Sequence, residues 1–156
     1  NERLFVVDYA HTPDALIQVL QTLKRHVAQD LWAVFGCGGD RDRGKRPLMT
    51  QAALQGADIA LLTSDNPRTE DPEQIFNDMK AGIDFSQHHV HEIHDRREAI
   101  KFAVQHAKAG DIVVIAGKGH ENYQEINGVR HWFDDVVEVN AALNMPKQAD
   151  RAYPAQ

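Results

Sequence analysis

The residues best suited to chemistry lie in four short segments of the sequence. Each segment combines charged side chains with glycine or proline, and glycine lets a backbone approach a small ligand closely. Together the segments supply guanidinium and carboxylate groups, which are the partners that the charged ends of a free amino acid require. The segments are DYAHTPD (8–14), GCGGDRDRGKR (36–46), SDNPRTED (64–71) and GKGHENYQ (117–124).

The second segment resembles a phosphate-binding P-loop without matching it. Gly39 and Gly44 have the expected spacing, and a lysine follows Gly44. Arg46, however, stands where a P-loop has the Ser or Thr that ligates magnesium. Asp40 and Asp42 also lie inside the loop, where they would repel a phosphate. We therefore interpret the segment as a substrate-binding loop rather than a P-loop.

Two interpretations remain open for the charges of this loop. Arg41 and Arg43 could bind a carboxylate or a phosphate through their planar guanidinium groups, or they could belong to a solvated loop. Lys45 and Arg46 fit the solvated loop better. Cys37 is best explained as a small filler residue, because no histidine lies near it in the sequence.

The first segment has a carboxylate, an aromatic ring and an imidazole close together. Asp8 could hold a metal-bound water or orient a ring, and Tyr9 or His11 could pack on a nucleotide base. The same residues could equally finish a strand and cap a helix.

The third and fourth segments offer complementary charges. Asn66 and Arg68 place an amide and a guanidinium on a turn stiffened by Pro67, which suits an acidic or zwitterionic ligand. In the fourth segment, Gly117 allows close backbone approach, and Glu121 could receive an ammonium group.

Alternating apolar runs and helical patterns predict the elements that position these segments. We predict a buried strand at 4–7 and further strands at 31–35, 59–63, 89–93 and 111–116. Helices are predicted at 13–26, at 47–55, from 71 towards 82 and from 95 to about 107. A β-hairpin at 124–133 with an Asn-Gly turn and a last helix at 134–143 follow. This order indicates an α/β fold with a doubly wound, mostly parallel Rossmann-like sheet, followed by a C-terminal β-hairpin and helix. All four polar segments follow strands, and ligands of such sheets bind outside the carboxyl ends of the strands. The histidines of HHVHEIH (88–94) are predicted to lie on the surface of an edge strand.

Length and composition set the outer limits of the interpretation. The chain has 156 residues and a formal net charge of −6, which indicates one domain and argues against a nucleic-acid partner. The sequence has no long apolar run and a single cysteine, so we expect a cytoplasmic protein without membrane contact. We also expect a monomer. We expect a fragment of a longer protein, with a domain at 1–145 and a flexible tail at 146–156.

The four segments, in this order and spacing, resemble the C-terminal domain of the Mur ligases over residues 4 to about 143. DNPR is similar to the diaminopimelate-adding branch of that family, because lysine-adding members differ at the arginine. The resemblance implies an ATP-dependent amide-bond ligase of peptidoglycan synthesis. ATP would phosphorylate the D-glutamyl carboxylate of UDP-MurNAc-L-Ala-D-Glu. The amine of meso-diaminopimelate would then attack the acyl phosphate, and the tetrahedral intermediate would collapse to the amide and release phosphate.

The resemblance also implies roles for individual residues. Asp8 would be the catalytic acid that helps assemble the closed site, and Tyr9 and His11 would face the nucleotide. The implied contacts to meso-diaminopimelate are Arg41, Asp65, Asn66, Pro67, Arg68, Gly117 and Glu121, with Arg68 on the distal carboxylate and Glu121 on the distal ammonium. ATP and Mg²⁺ would be bound mainly by a central domain that these residues do not include, so we expect the isolated domain to be inactive, and no metal ligand is assigned here.

Other functions remain open at this point. Within the family, the alternative is a lysine-adding or folylpolyglutamate-type ligase domain. Outside it, the alternative is a non-catalytic module of Rossmann type that binds an amino acid or a nucleotide. The sequence gives least support to a dinucleotide as the ligand, because no G-x-G-x-x-G follows the first strand.

Overall fold

The computed structural model describes residues 2–145, in which five parallel strands form one sheet with helices on both faces. The predicted tail at 146–156 lies outside the described residues. The elements are β1 (Leu4–Asp8), α1 (Pro13–Lys24), β2 (Leu31–Phe35), α2 (Arg46–Gly56), β3 (Ile59–Leu62), α3 (Pro72–Lys80), β4 (His89–Glu92), α4 (Arg96–His106), β5 (Ile112–Ala116), β6 (Tyr123–Ile126), β7 (Val129–Trp132) and α5 (Asp135–Leu143). The strand order is β1-β5-β2-β3-β4 and every pair is parallel, while β6 and β7 form an antiparallel hairpin. The predicted fold class is confirmed.

The core consists of two apolar layers, one on each face of the sheet. Successive side chains of a strand point to opposite faces. Along β2, Leu31, Ala33 and Phe35 pack with α1, α2 and α3, whereas Trp32 and Val34 pack with α4 and α5. Because both faces are covered, the central strands are apolar at every position, which is the continuous apolar run that the sequence showed.

The helices begin where short polar side chains cap them. Thr12 accepts a hydrogen bond from the backbone of Ala15, and Asp95 accepts one from the backbone of Glu98. These bonds satisfy backbone N–H groups that have no partner inside the first turn. The predicted starts of α1 and α4 are thereby confirmed, although α1 ends at Lys24 rather than at 26.

The prediction that the first strand is buried is wrong. The sheet order places β5 between β1 and β2, so β1 pairs with one neighbour only and forms an edge. Its first residue, Leu4, is 52% exposed. The opposite edge is β4, and the Nε2 atoms of His89 and His91 lie 3.2 Å apart there on one side of the strand, as the sequence predicted.

The hairpin is confirmed together with its turn. Asn127 and Gly128 have φ angles of +52° and +76°, the left-handed conformation at both central residues that a two-residue type I′ turn requires. No helix within residues 2–145 combines the length and the apolarity that a membrane-spanning helix needs.

Candidate functional site

A cleft of about 530 Å³ opens at the carboxyl ends of β1, β5, β2 and β3. It collects side chains from all four polar segments, which lie far apart in the sequence. Eight of the ten predicted site residues line it: Tyr9, His11, Arg41, Asp65, Asn66, Arg68, Gly117 and Glu121. Asp8 and Pro67 do not line it. The structure thus brings the predicted residues to one edge of the sheet, where parallel α/β sheets bind ligands.

Asp8 lies beside the cleft rather than in it. It lines a shallow depression next to the cleft, which shares Tyr9 and His11 with the cleft. One carboxylate oxygen of Asp8 accepts a hydrogen bond of 2.8 Å from the backbone of Ala10. The rings of Tyr9 and His11 meet edge to face, with centroids 4.7 Å apart, and Tyr9 is 55% exposed. The two rings therefore form a rim between the cleft and the depression.

Next to the cleft, the loops that follow β2 and β3 are in backbone contact. A Cβ atom on Gly36 would lie 2.3 Å from the carbonyl oxygen of Thr63, and one on Gly39 would lie 1.8 Å from that of Pro67. The N–H of Gly39 donates a 2.7 Å hydrogen bond to the carbonyl of Asn66. Side chains at these two glycines would push the loops apart, so Gly36 and Gly39 serve loop packing.

Arg41 and Arg43 of this segment have different environments. Arg41 is exposed and faces the cleft, where its side chain also donates to the carbonyl of Asp40. Arg43 binds both carboxylate oxygens of Asp78 at 2.8 and 3.1 Å. Of these two arginines, only Arg41 lines the cleft.

The prediction that Arg46 belongs to a solvated loop is wrong. The residue is 1% exposed, and its side chain donates to Glu70 at 2.6 and 2.7 Å, to Asp78 at 2.9 Å and to the carbonyl of Gly38 at 3.0 Å. The helix α2 begins at Arg46, which turns this side chain inward under the loop. Hydrogen bonds from Arg46 lower the pKa of the Glu70 carboxyl, and the Arg43 hydrogen bond is the main cause that lowers the pKa of Asp78 to about 2.

The loop after β3 is joined to the hairpin by Arg68. Its backbone N–H donates to the carbonyl of Glu125 at 2.8 Å, and its carbonyl accepts from the N–H of Asn127 at 2.7 Å. Its φ angle is +54°, an uncommon value for a residue with a side chain. The guanidinium donates through Nη1 to the carbonyl of Gly39 at 3.1 Å, and its Nε lies 3.7 Å from a carboxylate oxygen of Glu125. Backbone and side chain are therefore both held before any ligand binds.

The loop after β5 passes close to β1. The N–H of Gly117 donates to the carbonyl of Asp8 at 3.0 Å. Gly117 and Gly119 have φ angles of +115° and +52°, which glycine adopts without strain. A Cβ atom at Gly119 would lie 3.0 Å from the Cβ of Tyr9. This turn brings Glu121, which is half-buried, to the cleft.

Sequence reasoning missed two buried cations next to the cleft. Lys118 is fully buried, and its ammonium lies among Asp65, Asn66 and the backbone of Tyr123. Arg96 is also buried and binds Asp135 through two hydrogen bonds. A signal existed for Lys118, because a lysine between two glycines is unusual. None existed for Arg96, whose partner lies 39 residues away.

The chemistry available to single groups in the cleft is limited. Burial raises the pKa of the Cys37 thiol to about 12, so it stays protonated at neutral pH and is a poor nucleophile. Within residues 2–145, no three His, Cys, Asp or Glu side chains are grouped to hold a metal ion. The cleft is thus suited to binding a charged molecule through several groups at once.

The chain is similar to known proteins of one family. The profile of the Mur ligase glutamate ligase domain matches residues 1–119. A UDP-N-acetylmuramoyl-L-alanyl-D-glutamate–2,6-diaminopimelate ligase from Ectopseudomonas mendocina (strain ymp) is 56% identical over 143 residues, which are 92% of this chain and 29% of that protein. The relative from Geobacillus thermodenitrificans (strain NG80-2), which has the same name, is 51% identical over 88% of this chain and 28% of its own length.

A solved structure of a UDP-N-acetylmuramoyl-L-alanyl-D-glutamate–2,6-diaminopimelate ligase superposes with a TM-score of 0.91 at 83% identity. The match covers 92% of this chain and 30% of that one. The chain thus spans less than a third of the length of these relatives. The matched profile and the level of identity together show that the chain belongs to the Mur ligase family, within the glutamate ligase domain.

Proposed function

We propose that this chain is the amino-acid-binding domain, residues 1–145, of an ATP-dependent ligase that joins meso-diaminopimelate to UDP-MurNAc-L-Ala-D-Glu in peptidoglycan synthesis. The names of the relatives at 51% and 56% identity support the reaction. We expect the whole protein to be a cytoplasmic monomer, because the reaction consumes ATP and needs no partner chain.

One structural observation supports the proposal most directly. The cleft places the guanidinium groups of Arg41 and Arg68 around the same space as the carboxylate of Glu121. Arg46 and Asp65 also line it, but each already forms an ion pair within the protein. Diaminopimelate has an ammonium and a carboxylate at each end, so it needs groups of both signs at the end that does not react. Lysine has an ammonium there but no carboxylate, and a site for lysine would not need a second guanidinium.

In this proposal Arg68 binds the distal carboxylate and Glu121 binds the distal ammonium. Nη1 of Arg68 is already fixed on the carbonyl of Gly39, and Nη2 has no hydrogen-bond partner within residues 2–145. A guanidinium held in this way loses little side-chain entropy when a carboxylate binds to its remaining edge. Asn66 and Gly117 would add contacts to the amino acid in the cleft, and Pro67 would stiffen the turn that carries Arg68.

The chemistry asked of this domain is positioning. An amine held next to an acyl phosphate reacts faster because the two reactants no longer have to meet in solution. Tyr9 and His11 form the rim from which they would face the nucleotide substrate, and Asp8 beside them would help to assemble the closed site. ATP and the Mg²⁺ that accompanies it would be bound mainly by the rest of the protein, and Mg²⁺ would supply electrostatic stabilisation of the phosphates there.

The experiment is a substrate comparison on the full-length enzyme with meso-diaminopimelate and L-lysine. We expect diaminopimelate to be used far better than lysine. Arg68→Ala should lower kcat/KM for diaminopimelate on the order of 100-fold, because the desolvated carboxylate would lose a charge-assisted contact. Arg97→Ala is the matched control, since Arg97 lies on α4 with its side chain 52% exposed and pairs with Glu138. A preference for lysine in the wild type, or full diaminopimelate activity in Arg68→Ala, would refute the proposal.

A second measurement concerns this chain alone. Calorimetric titration with meso-diaminopimelate, with L-lysine as the control, tests whether the cleft is preformed.

We expect no turnover from the isolated chain, because the groups that bind ATP lie outside it. A measurable ligase rate from the isolated chain would contradict that expectation.

A further inference from the structure

One buried charge lies against the cleft without facing into it. Lys118 follows β5, and its side chain has no exposed surface. Its ammonium lies 2.9 Å from Oδ1 of Asn66, 2.9 Å from the carbonyl of Tyr123 and 2.9 Å from Oδ1 of Asp65. An ammonium group has three N–H donors, and three acceptors surround this one. Two of the donors are hydrogen-bonded, to Asn66 and Tyr123, and Asp65 is an ion-pair partner whose Oδ1 accepts no hydrogen bond. Lys118 is thus enclosed by protein groups and has no surface in the cleft.

The three acceptors come from two other parts of the chain. Asp65 and Asn66 belong to the loop after β3, and Tyr123 begins the hairpin at β6. Oδ1 of Asn66 also accepts a 2.9 Å hydrogen bond from the backbone N–H of Glu125. One ammonium and one amide oxygen thus connect the β5 loop, the β3 loop and the hairpin.

These connections lead directly to Arg68. The backbone of Arg68 is hydrogen-bonded on both sides to the hairpin, at Glu125 and at Asn127. The carboxylate of Glu125 lies 3.7 Å from Nε of Arg68. Since the ammonium of Lys118 fixes the start of the hairpin to Asp65 and Asn66, it also fixes the strand against which the Arg68 guanidinium is oriented.

We propose that Lys118 is a positioning residue that sets the affinity and the selectivity for the distal end of the amino-acid substrate. The inference rests on the function proposed above. Lys118 itself does not contact the substrate. It holds the Asp65–Asn66 turn and the hairpin at the spacing at which Arg68 and Glu121 face the same ligand. It also neutralises Asp65, whose Oδ1 is buried, so that this carboxylate does not repel the carboxylate of the ligand.

The test compares Lys118→Met with Lys101→Met in the full-length enzyme. Methionine is unbranched and only one atom shorter than lysine but has no donor, and Lys101 is a partly exposed lysine of α4 paired with Glu98. We expect Lys118→Met to raise KM for meso-diaminopimelate at least about tenfold and to narrow the preference over L-lysine, with KM for ATP changed less than about twofold. Lys101→Met should change none of these values.

A purely structural role gives a different pattern. It would lower the amount of folded enzyme and thus the apparent kcat, with KM for diaminopimelate unchanged, and that result would overturn the inference. Amide hydrogen exchange of the hairpin provides a readout that needs no substrate. We expect the Glu125 and Asn127 amides to exchange at least about tenfold faster in Lys118→Met than in the wild type, and unchanged exchange would also overturn the inference. A wild-type enzyme that does not use diaminopimelate refutes the proposed function, while the exchange rates still decide whether Lys118 holds the hairpin.

A second variant keeps the test decisive if Lys118→Met does not fold. The pair to compare is then Asp65→Asn and Asp65→Asn/Lys118→Met, because the asparagine removes the carboxylate that would be left unpaired. Positioning by Lys118 predicts a further increase of about tenfold in KM for diaminopimelate in the double variant, together with faster exchange at Glu125. Equal KM values and equal exchange rates in the two variants would overturn the inference.

Discussion

The strongest test of the structural reasoning concerns the buried pair of Arg96 and Asp135. Neither side chain has exposed surface, and the guanidinium donates to the two carboxylate oxygens at 2.8 and 2.7 Å. Arg96 also donates to the carbonyl of Ser64 at 3.0 Å and to that of Ala116 at 3.2 Å. One side chain therefore joins the ends of β3 and β5 to the first residue of α5. We expect Arg96→Met to be among the most destabilising substitutions outside the apolar core.

The magnitude follows from what the substitution leaves behind. Breaking a buried pair by removing one partner costs about 3–5 kcal/mol, because the other charge remains in a medium of low polarity. Two backbone carbonyls also lose a donor, which places the expected loss in the upper half of that interval. A domain of this size has a free energy of unfolding of about 5–15 kcal/mol, so the variant should lose a large part of it. Arg96→Met/Asp135→Leu removes both charges and should recover most of the loss, but not all, since the carbonyls of Ser64 and Ala116 remain without their donor.

The assay is urea unfolding of this chain, followed by circular dichroism and analysed for the midpoint and the slope. Arg97→Met is the matched control, because the neighbouring arginine has a side chain that is 52% exposed and pairs with Glu138 at 2.9 Å. Its loss should stay below about 1 kcal/mol. The reasoning is refuted if Arg96→Met costs no more than Arg97→Met, or if the double variant is as unstable as the sum of Arg96→Met and Asp135→Leu.

Two further predictions address the packing of the β2 loop. The hydrogen bond from Arg43 lowers the pKa of Asp78 from 3.8 to about 2, so the stabilisation by this carboxylate is fully present above the higher value and is lost as the pH falls through the lower one. The difference in unfolding free energy between the wild type and Asp78→Asn, measured by urea titration, should therefore be constant at neutral pH and shrink over that acidic interval; a constant difference throughout would contradict the assignment. Gly39→Ala would place a Cβ atom 1.8 Å from the carbonyl oxygen of Pro67 and should cost about 1–3 kcal/mol in thermal unfolding. Gly44→Ala, whose Cβ would meet only a side-chain oxygen of Asp42 at 3.2 Å, should cost less, and equal losses would mean that the two loops are not in backbone contact.

Most of the fold could be predicted because its signals are local. Continuous apolar runs mark strands covered on both faces, and capping residues such as Thr12 and Asp95 mark where helices begin. The turn at 127–128 is equally local, since Asn-Gly favours the backbone conformation that the hairpin needs. The error at β1 has a nonlocal cause. Whether an apolar strand is central or at an edge depends on which strand is inserted beside it, and here β5 from the far end of the chain takes that place.

The position of the cleft could also be predicted, because a rule about sheet edges needs only the order of strands and loops. Which of its charged side chains face the cleft, and which are paired within the protein, could not be predicted. Arg41 and Arg46 occur in the same loop and look alike in the sequence. Arg41 nevertheless faces the cleft, whereas the guanidinium of Arg46 is hydrogen-bonded to Glu70 and Asp78. The partners that decide this lie 24 and 32 residues further along the chain, in and just before α3. Only the folded chain shows which charges are already satisfied.

That distinction also explains why a small cleft contains so many ionisable groups. A guanidinium that must recognise a carboxylate has to be held still, and holding it requires other charges that are bound to groups of the protein. Lys118 and Arg46 have this second role, since each is buried and bonded to carboxylates and carbonyl oxygens of the loops around the cleft. Arg68 and Glu121 keep surface in the cleft and can meet a ligand. Substituting Lys118 or Arg46 should therefore disturb selectivity by changing the geometry of Arg68 and Glu121, whereas substituting Arg68 or Glu121 removes a ligand contact directly.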